Sequence, residues 1–298
     1  MTRLVVLLAA LLAAAAAVQG SQATFTASST NAGASFVTAS KFAPTVTVTA
    51  PANGSATNDT TPTLSGTADN STGDSTTVTV KIYSGSTVTG TALQTKTATR
   101  SGTSWSTTAS TLAVGTYTVQ ATQTDTSGNT GTSSANTFSV DTAKPTATSV
   151  TATNKTGGTA GKIENGDTVT FTYSEPIAAA SVWSGWNGSS TSVKVTFTDA
   201  FSADTFTVVT ATTGTINLGS VATNGNYVSA NTTFTSTMVR SADGASIVVT
   251  LGTPTSVQST AVTAKNMKWT VGAGITDLAG NSITTPASYT ETVSDVDF

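Results

Sequence analysis

From residue 45 onward the chain is written largely in period two. Thr45-Val46-Thr47-Val48-Thr49 alternates polar and apolar positions, and Thr77-Val78-Thr79-Val80-Lys81-Ile82-Tyr83 puts Val78, Val80 and Ile82 on one side. Successive side chains of a strand point to opposite faces, so such runs predict half-buried strands. Further short strands are expected at Thr63–Gly66, around Trp105 in Thr103–Thr107, at Gly115–Ala121 and at Asn136–Val140. Turns at Pro51-Ala52-Asn53-Gly54, Ser84-Gly85 and Asp125-Thr126-Ser127-Gly128-Asn129 separate them. The pattern resumes at Thr168–Tyr173, Ser192–Phe197, Thr205–Thr210, Ser246–Leu251 and Asn266–Val271. A period of 3.6 is sustained nowhere; Ile177–Val182 has room for a single helical turn. Short strands punctuated by turn residues predict an all-β chain of two tandem β-sandwich domains, 44–141 and 142–298.

The first twenty residues break the alternation. Arg3 precedes an unbroken apolar run from Leu4 to Val18, and Val18-Gln19-Gly20 suits a cleavage site. This is the layout of a secretory signal peptide, too short for a membrane-spanning helix of about 20 residues. The mature chain is therefore expected to be secreted or at the cell surface, with no membrane segment after signal removal and no Leu-Pro-x-Thr-Gly sorting motif. Residues 21–43 read as a flexible leader or a lone strand.

Composition narrows the chemistry. Thr is the commonest residue and charged residues make up only 9% of the chain, so the polar faces of the sheets carry β-branched hydroxyls, which suit a pleated surface. The net charge of -3 is spread without blocks, leaving no basic face for nucleic acid. The absence of His and Cys excludes Ser-His-Asp and Cys-His catalysis, disulfides, and metal sites built on imidazole or thiolate. No cofactor is required by any motif.

Several stretches resemble known families. Thr61-Pro62-Thr63-Leu64-Ser65-Gly66-Thr67-Ala68, Gly115-Thr116-Tyr117-Thr118-Val119, Asp125-Thr126-Ser127-Gly128-Asn129 and Phe138-Ser139-Val140-Asp141 together resemble the bacterial immunoglobulin-like repeats of surface adhesins. Asn165-Gly166-Asp167-Thr168-Val169-Thr170-Phe171, Ser174-Glu175-Pro176-Ile177 and Asp277-Leu278-Ala279-Gly280-Asn281 resemble another bacterial Ig-like class; the resemblance is good at both ends and poor over about 178–240, which implies an insertion there in the second domain. The resemblance implies immunoglobulin-like sandwiches, with Tyr117 as a tyrosine corner. Ala23-Thr24-Phe25-Thr26 resembles the mature start of the TasA/camelysin class of matrix proteins.

Calcium is the candidate ligand. Asp125 with Asn129, and Asp277 with Asn281, set oxygen side chains around a Gly turn, as a hard cation requires. In the adhesin repeats that the chain resembles, calcium often sits at module junctions, which implies that Asp125, Asn129 and Asp141 meet near the boundary. The same residues also suit Asx turns that bind no ion. Other chemistry is weaker. Glu175, one of three glutamates, offers a carboxylate for a glycosidase pair or a strand-end cap of a loop. Lys155-Thr156-Gly157 echoes the penicillin-binding enzymes but has no Ser-x-x-Lys beside it. Trp183 and Trp186 could form a glycan platform or pack in the core.

Three functions follow as expectations. The chain is a non-catalytic spacer or adhesive binding module at the bacterial surface, a matrix or fibre subunit assembling by leader-strand addition, or a carbohydrate-binding accessory module. Its partner is then a cell-surface, matrix or glycan component.

Overall fold

The computed structural model describes residues 42–298 except 213, 257–261, 285–286, 293–295 and 297. The signal peptide expected at 1–20 and nearly all of the leader expected at 21–43 lie outside the described residues. Among the described residues the fold is all-β, as the alternation predicts, and the one helix is the single turn α1 (Ala179–Val182).

The first half carries β1 (Ser55–Thr57), β2 (Thr63–Thr67), β3 (Asp74–Ser84), β4 (Gln94–Thr99), β5 (Ser104–Thr108), β6 (Gly115–Asp125), β7 (Thr130–Thr132) and β8 (Asn136–Val140). They form a six-stranded sheet in the order β1-β8-β6-β3-β4, with β7 also on β6, and a two-stranded sheet β2-β5. Residues 45–50, expected as a strand, run beside β2 through bridges Val46↔Ala68 and Ala50↔Ser65. The apolar phase of β3 faces inward, with Val78, Val80 and Ile82 fully buried in one hydrophobic cluster with Val119 of the same sheet and with Leu64 and Trp105 of the two-stranded sheet. Trp105 sits where its ring fills the core and its Nε1 reaches two carbonyls, Thr47 O at 3.1 Å and Thr67 O at 3.0 Å. Gly66 makes room for this approach: a Cβ there would lie 1.9 Å from Thr47 O. The Tyr117 hydroxyl donates to Ala113 O at 2.9 Å, four residues upstream, which is the geometry of a tyrosine corner.

The second half carries β9 (Ala147–Thr153), β10 (Thr168–Tyr173), β11 (Thr191–Thr198), β12 (Thr205–Thr210), β13 (Thr215–Ala222), β14 (Thr232–Arg240), β15 (Ser246–Pro254), β16 (Lys268–Thr270) and β17 (Ser288–Thr290). All belong to one nine-stranded sheet, ordered β17-β16-β13-β12-β11-β14-β15-β10-β9. The sheet bends until its end strands β17 and β9 meet, and so encloses its own core. Trp269 is the centre of that core. It is fully buried, donates from Nε1 to Leu218 O at 2.6 Å, and meets Phe171 and Tyr173 edge-on at 5.1 Å each. Residues 178–240, read from sequence as an insertion, supply β11 to β14, and β12, β11 and β14 occupy the middle of the sheet.

Registers fix which loops share an end. Gly115 pairs with Val140, so β6 begins where β8 ends, beside the link to the second half. Asp125, at the other end of β6, is ten residues away, about 33 Å along the strand at about 3.3 Å per residue.

Candidate functional site at the junction

The Asp125–Asn129 turn closes on itself. Asp125 Oδ1 accepts from the backbone N–H groups of Ser127 (2.8 Å) and Asn129 (2.9 Å), and its Oδ2 accepts from Asn129 Nδ2 (2.9 Å). The backbone completes the loop through Asp125 N to Asn129 O at 3.0 Å. Gly128 holds φ +87° at the bend, a left-handed conformation that favours glycine. The sequence-based expectation that Asp125 and Asn129 meet Asp141 is not met, because they lie at opposite ends of the six-stranded sheet.

Asp277–Asn281 builds the same loop at the junction. Asp277 Oδ1 accepts from Asn281 N and Oδ2 from Asn281 Nδ2, both at 2.8 Å, and Asp277 N donates to Asn281 O at 3.1 Å. Gly280 bends at φ +90°. This loop then makes contacts that its twin does not show. Asn281 Nδ2 also donates to Asp141 O at 2.9 Å, and Ala279 O accepts from Asn58 N at 3.1 Å. Both Asn58 and Asp141 lie in the first half, where Asp141 N is itself tied to Thr57 O at 2.9 Å.

Glu175 arrives from a third segment. After β10 the chain turns at Ser174, whose Oγ accepts from Thr146 N at 3.0 Å. Ile177 then bridges to Asp277, with Ala178 N donating to Thr276 O at 2.9 Å. Two residues before that bridge, Glu175 is held against the Asp277 loop. Asp141, Glu175 and Asp277 thus bring carboxylate oxygens within 4.8 Å of one another, Asp277 buried and the other two half-buried. Burial, then repulsion from Asp277 and Asp141 and a hydrogen bond to Asp277, push the Glu175 carboxyl above the usual carboxylate range. Like charges this close favour a shared proton or a bound cation.

Of the five residues that sequence reasoning singled out for calcium, Asp141 and Asp277 therefore meet, Asn281 orients both of them, and Asp125 and Asn129 stand apart. Glu175 was missed as a ligand. Its signal was there, a rare glutamate directly after a strand and before Pro176, but register alone brings it to Asp277. It is no strand-end cap facing amides, since its neighbours are carboxyls. Nor do these carboxyls suit glycoside hydrolysis, where a sugar must fit between groups about 5 Å or more apart: Glu175 and Asp277 share a hydrogen bond.

The donor set fits a hard divalent cation. All the side chains that converge are oxygen donors, drawn from three segments, with no nitrogen or sulfur ligand among the carboxylates. The tryptophan platform is not formed: Trp186 is buried and donates from Nε1 to Ser189 O at 2.7 Å, while Trp183 packs half-buried against the core. Among the described residues no helix is long and apolar enough to cross a membrane.

Comparison with known proteins agrees with the first half of this architecture. No curated protein matches the chain. Among solved structures, the fibronectin(III)-like modules of Clostridium thermocellum CbhA share 16% identity, with 70% of this chain and 90% of that one covered, at a TM-score of 0.29. Dimeric latent PorU from Porphyromonas gingivalis shares 15% identity over 71% of this chain, at a TM-score of 0.27; this chain spans only 20% of it. Domains of the bacterial Ig-like kind are typically non-enzymatic. Residues 38–142, which contain the whole two-sheet sandwich of the first half, match the family of bacterial Ig-like domains.

Proposed function

We propose that the chain is a non-catalytic spacer at the bacterial surface whose joint is stiffened by calcium bridging Asp141, Glu175 and Asp277. One observation carries this reading: three carboxylates from separate segments converge where the first half hydrogen-bonds to the second. Asp141 belongs to the link, Glu175 follows β10, and Asp277 opens the junction loop. A cation there removes their mutual repulsion and ties the link to the second half. Water would complete a coordination shell of six to eight oxygens, about the number calcium takes. Without the cation, the joint is held by Asn58, Asn281 and one protonated carboxyl, and bends more freely. A spacer needs such stiffness to project what it carries away from a surface.

Small-angle scattering of the full chain tests this reading. With calcium, the distance distribution is expected to be narrow; with chelator, or in Asp277→Asn, it broadens toward longer and shorter vectors. Superimposable curves in calcium and chelator would rule the reading out.

A further inference from the structure

Glu175 reaches the junction on a short arm, residues 174–178, that follows β10. Both ends of the arm are tied. At its start Ser174 N donates to Thr146 O at 2.9 Å, and Ser174 Oγ accepts from Thr146 N at 3.0 Å. Further along, both backbone groups of Ile177 are held by the hairpin between β14 and β15. Ile177 N donates to Gly244 O at 3.0 Å, and Ile177 O accepts from Arg240 Nη1 at 2.7 Å. Glu175 and Pro176 span the gap between these anchors.

The fold makes room for the Arg240 contact. Arg240 closes β14, and its own N–H donates to Gly188 O at 2.9 Å. Gly188 and Gly244 both hold positive φ, +94° and +78°, and the side chains they lack leave a slot for the arginine. A Cβ on Gly188 would lie 3.0 Å from Arg240 Nε. One on Gly244 would lie 3.1 Å from Pro176 Cβ and 3.7 Å from Arg240 Nη1. The hairpin turn is braced in its turn by Asp243, whose Oδ1 accepts from Ala245 N at 3.0 Å. The guanidinium is therefore aimed at a carbonyl. Among the described residues no Lys or Arg forms an ion pair with Asp141, Glu175 or Asp277, so the three carboxylates have no protein cation against them.

We propose that Arg240 is a positioning residue of the junction cation site: by holding Ile177 O, it keeps the Glu175 carboxyl against Asp277 and Asp141. The inference rests on the calcium reading of that cluster. Arg240 does not touch the ion and acts only through the arm. Its bond to Ile177 O is charge-assisted, and such bonds are stronger than neutral ones. Without it the arm is held at Ser174 and at Ile177 N alone. Calcium must then order the arm as it binds, which lowers affinity. Simple electrostatics predicts the opposite sign, because removing a positive charge near a cation site strengthens cation binding.

Calcium titration of the full chain by calorimetry, with carbon NMR of the glutamate carboxyls in chelator, tests the inference. Arg240→Met is expected to bind calcium about tenfold to a hundredfold more weakly than wild type. In chelator, Glu175 is expected to titrate above the usual carboxylate range in wild type, through burial and then repulsion from Asp277 and Asp141, and within that range in Arg240→Met. Arg240→Lys keeps the charge on a shorter side chain; it should behave like Arg240→Met, and it carries the test if Arg240→Met does not fold. Asn231→Ala removes a hydrogen bond to Asp199 N at the turn after β11. It should lower the melting temperature and leave calcium affinity unchanged; a loss of affinity equal to that of Arg240→Met would mean that binding follows general stability and would overturn the inference. Calcium binding by the Arg240 variants as tight as wild type, or tighter, would also overturn it, as would a Glu175 titration that does not move. Failure of the wild-type chain to bind calcium would sink the calcium reading instead, and the NMR comparison would still decide whether Arg240 places Glu175.

Discussion

The loops Asp125–Asn129 and Asp277–Asn281 share a sequence plan, a hydrogen-bond pattern and a glycine bend, φ +87° in one and +90° in the other. They differ in what surrounds them. The first has both carboxylate oxygens bound by its own N–H groups, and ties its hairpin to the start of β3 in the same half through Thr126 N to Gly73 O at 2.9 Å. The second makes the same internal bonds and then meets Asp141 and Glu175. A motif of this kind builds a rigid turn by itself; at the first loop the register adds one carboxylate, Asp74 opposite Asp125, whereas at the second two more converge from separate segments. The motif therefore reports a turn, and the neighbours report the chemistry.

The largest expected effect separates the loops without metal. In chelator, Asp125→Ala removes three hydrogen bonds to a buried carboxylate and should destabilise the chain by about 2–4 kcal/mol, read from chemical unfolding. Asp277→Ala should cost less, because losing its carboxylate also relieves repulsion with Asp141 and Glu175. Equal losses would mean that the carboxylates at the junction do not repel, and would break the comparison.

Next comes the response to calcium. A ligand bound only by the folded state adds about 2.7 kcal/mol when present at a hundred times its dissociation constant. The melting temperature of the second half should rise by several degrees in wild type and Asp125→Asn, and stay flat in Asp277→Asn and Glu175→Gln. A smaller effect tests the direct tether: Asn281→Ala removes the hydrogen bond to Asp141 O and should cost about 1 kcal/mol, with a broader scattering distribution in chelator.

The smallest effect is in pH. The folded-state Glu175 carboxyl titrates above its unfolded value, so the folded state binds its proton more tightly. In chelator, stability should fall as pH rises from the ordinary carboxylate range through the raised value. Asp167, raised by burial, acts in the same direction. The part due to the junction is therefore the difference between wild type and Glu175→Gln, and calcium should abolish it.

Much of this was legible in the sequence. Alternation located β3, β5, β6, β10 and β11, because their inward positions are mostly apolar, with Asp74, Gln123 and Asp125 at the strand ends as the buried polar exceptions. β4 was not foreseen, since Ala98 is its only fully buried position and the rest is Thr, Gln and Lys at a sheet edge. β14 was missed because Ser236 interrupts the apolar phase between Phe234 and Met238. β13 was hidden by Gly219, which bends the strand at φ +80° against Thr270 O. At the site, loop chemistry pointed to Asp277 and Asn281. Which loop faces the link, and that Glu175 joins it, depends on strand register over more than a hundred residues, and no local pattern encodes that.

Calcium titration of the full chain by isothermal calorimetry reaches the central claim most directly. One site should be seen in wild type and in Asp125→Asn, and none in Asp277→Asn or Glu175→Gln. Heat that disappears with Asp125→Asn and survives Asp277→Asn would place the ion in the wrong loop and contradict the account.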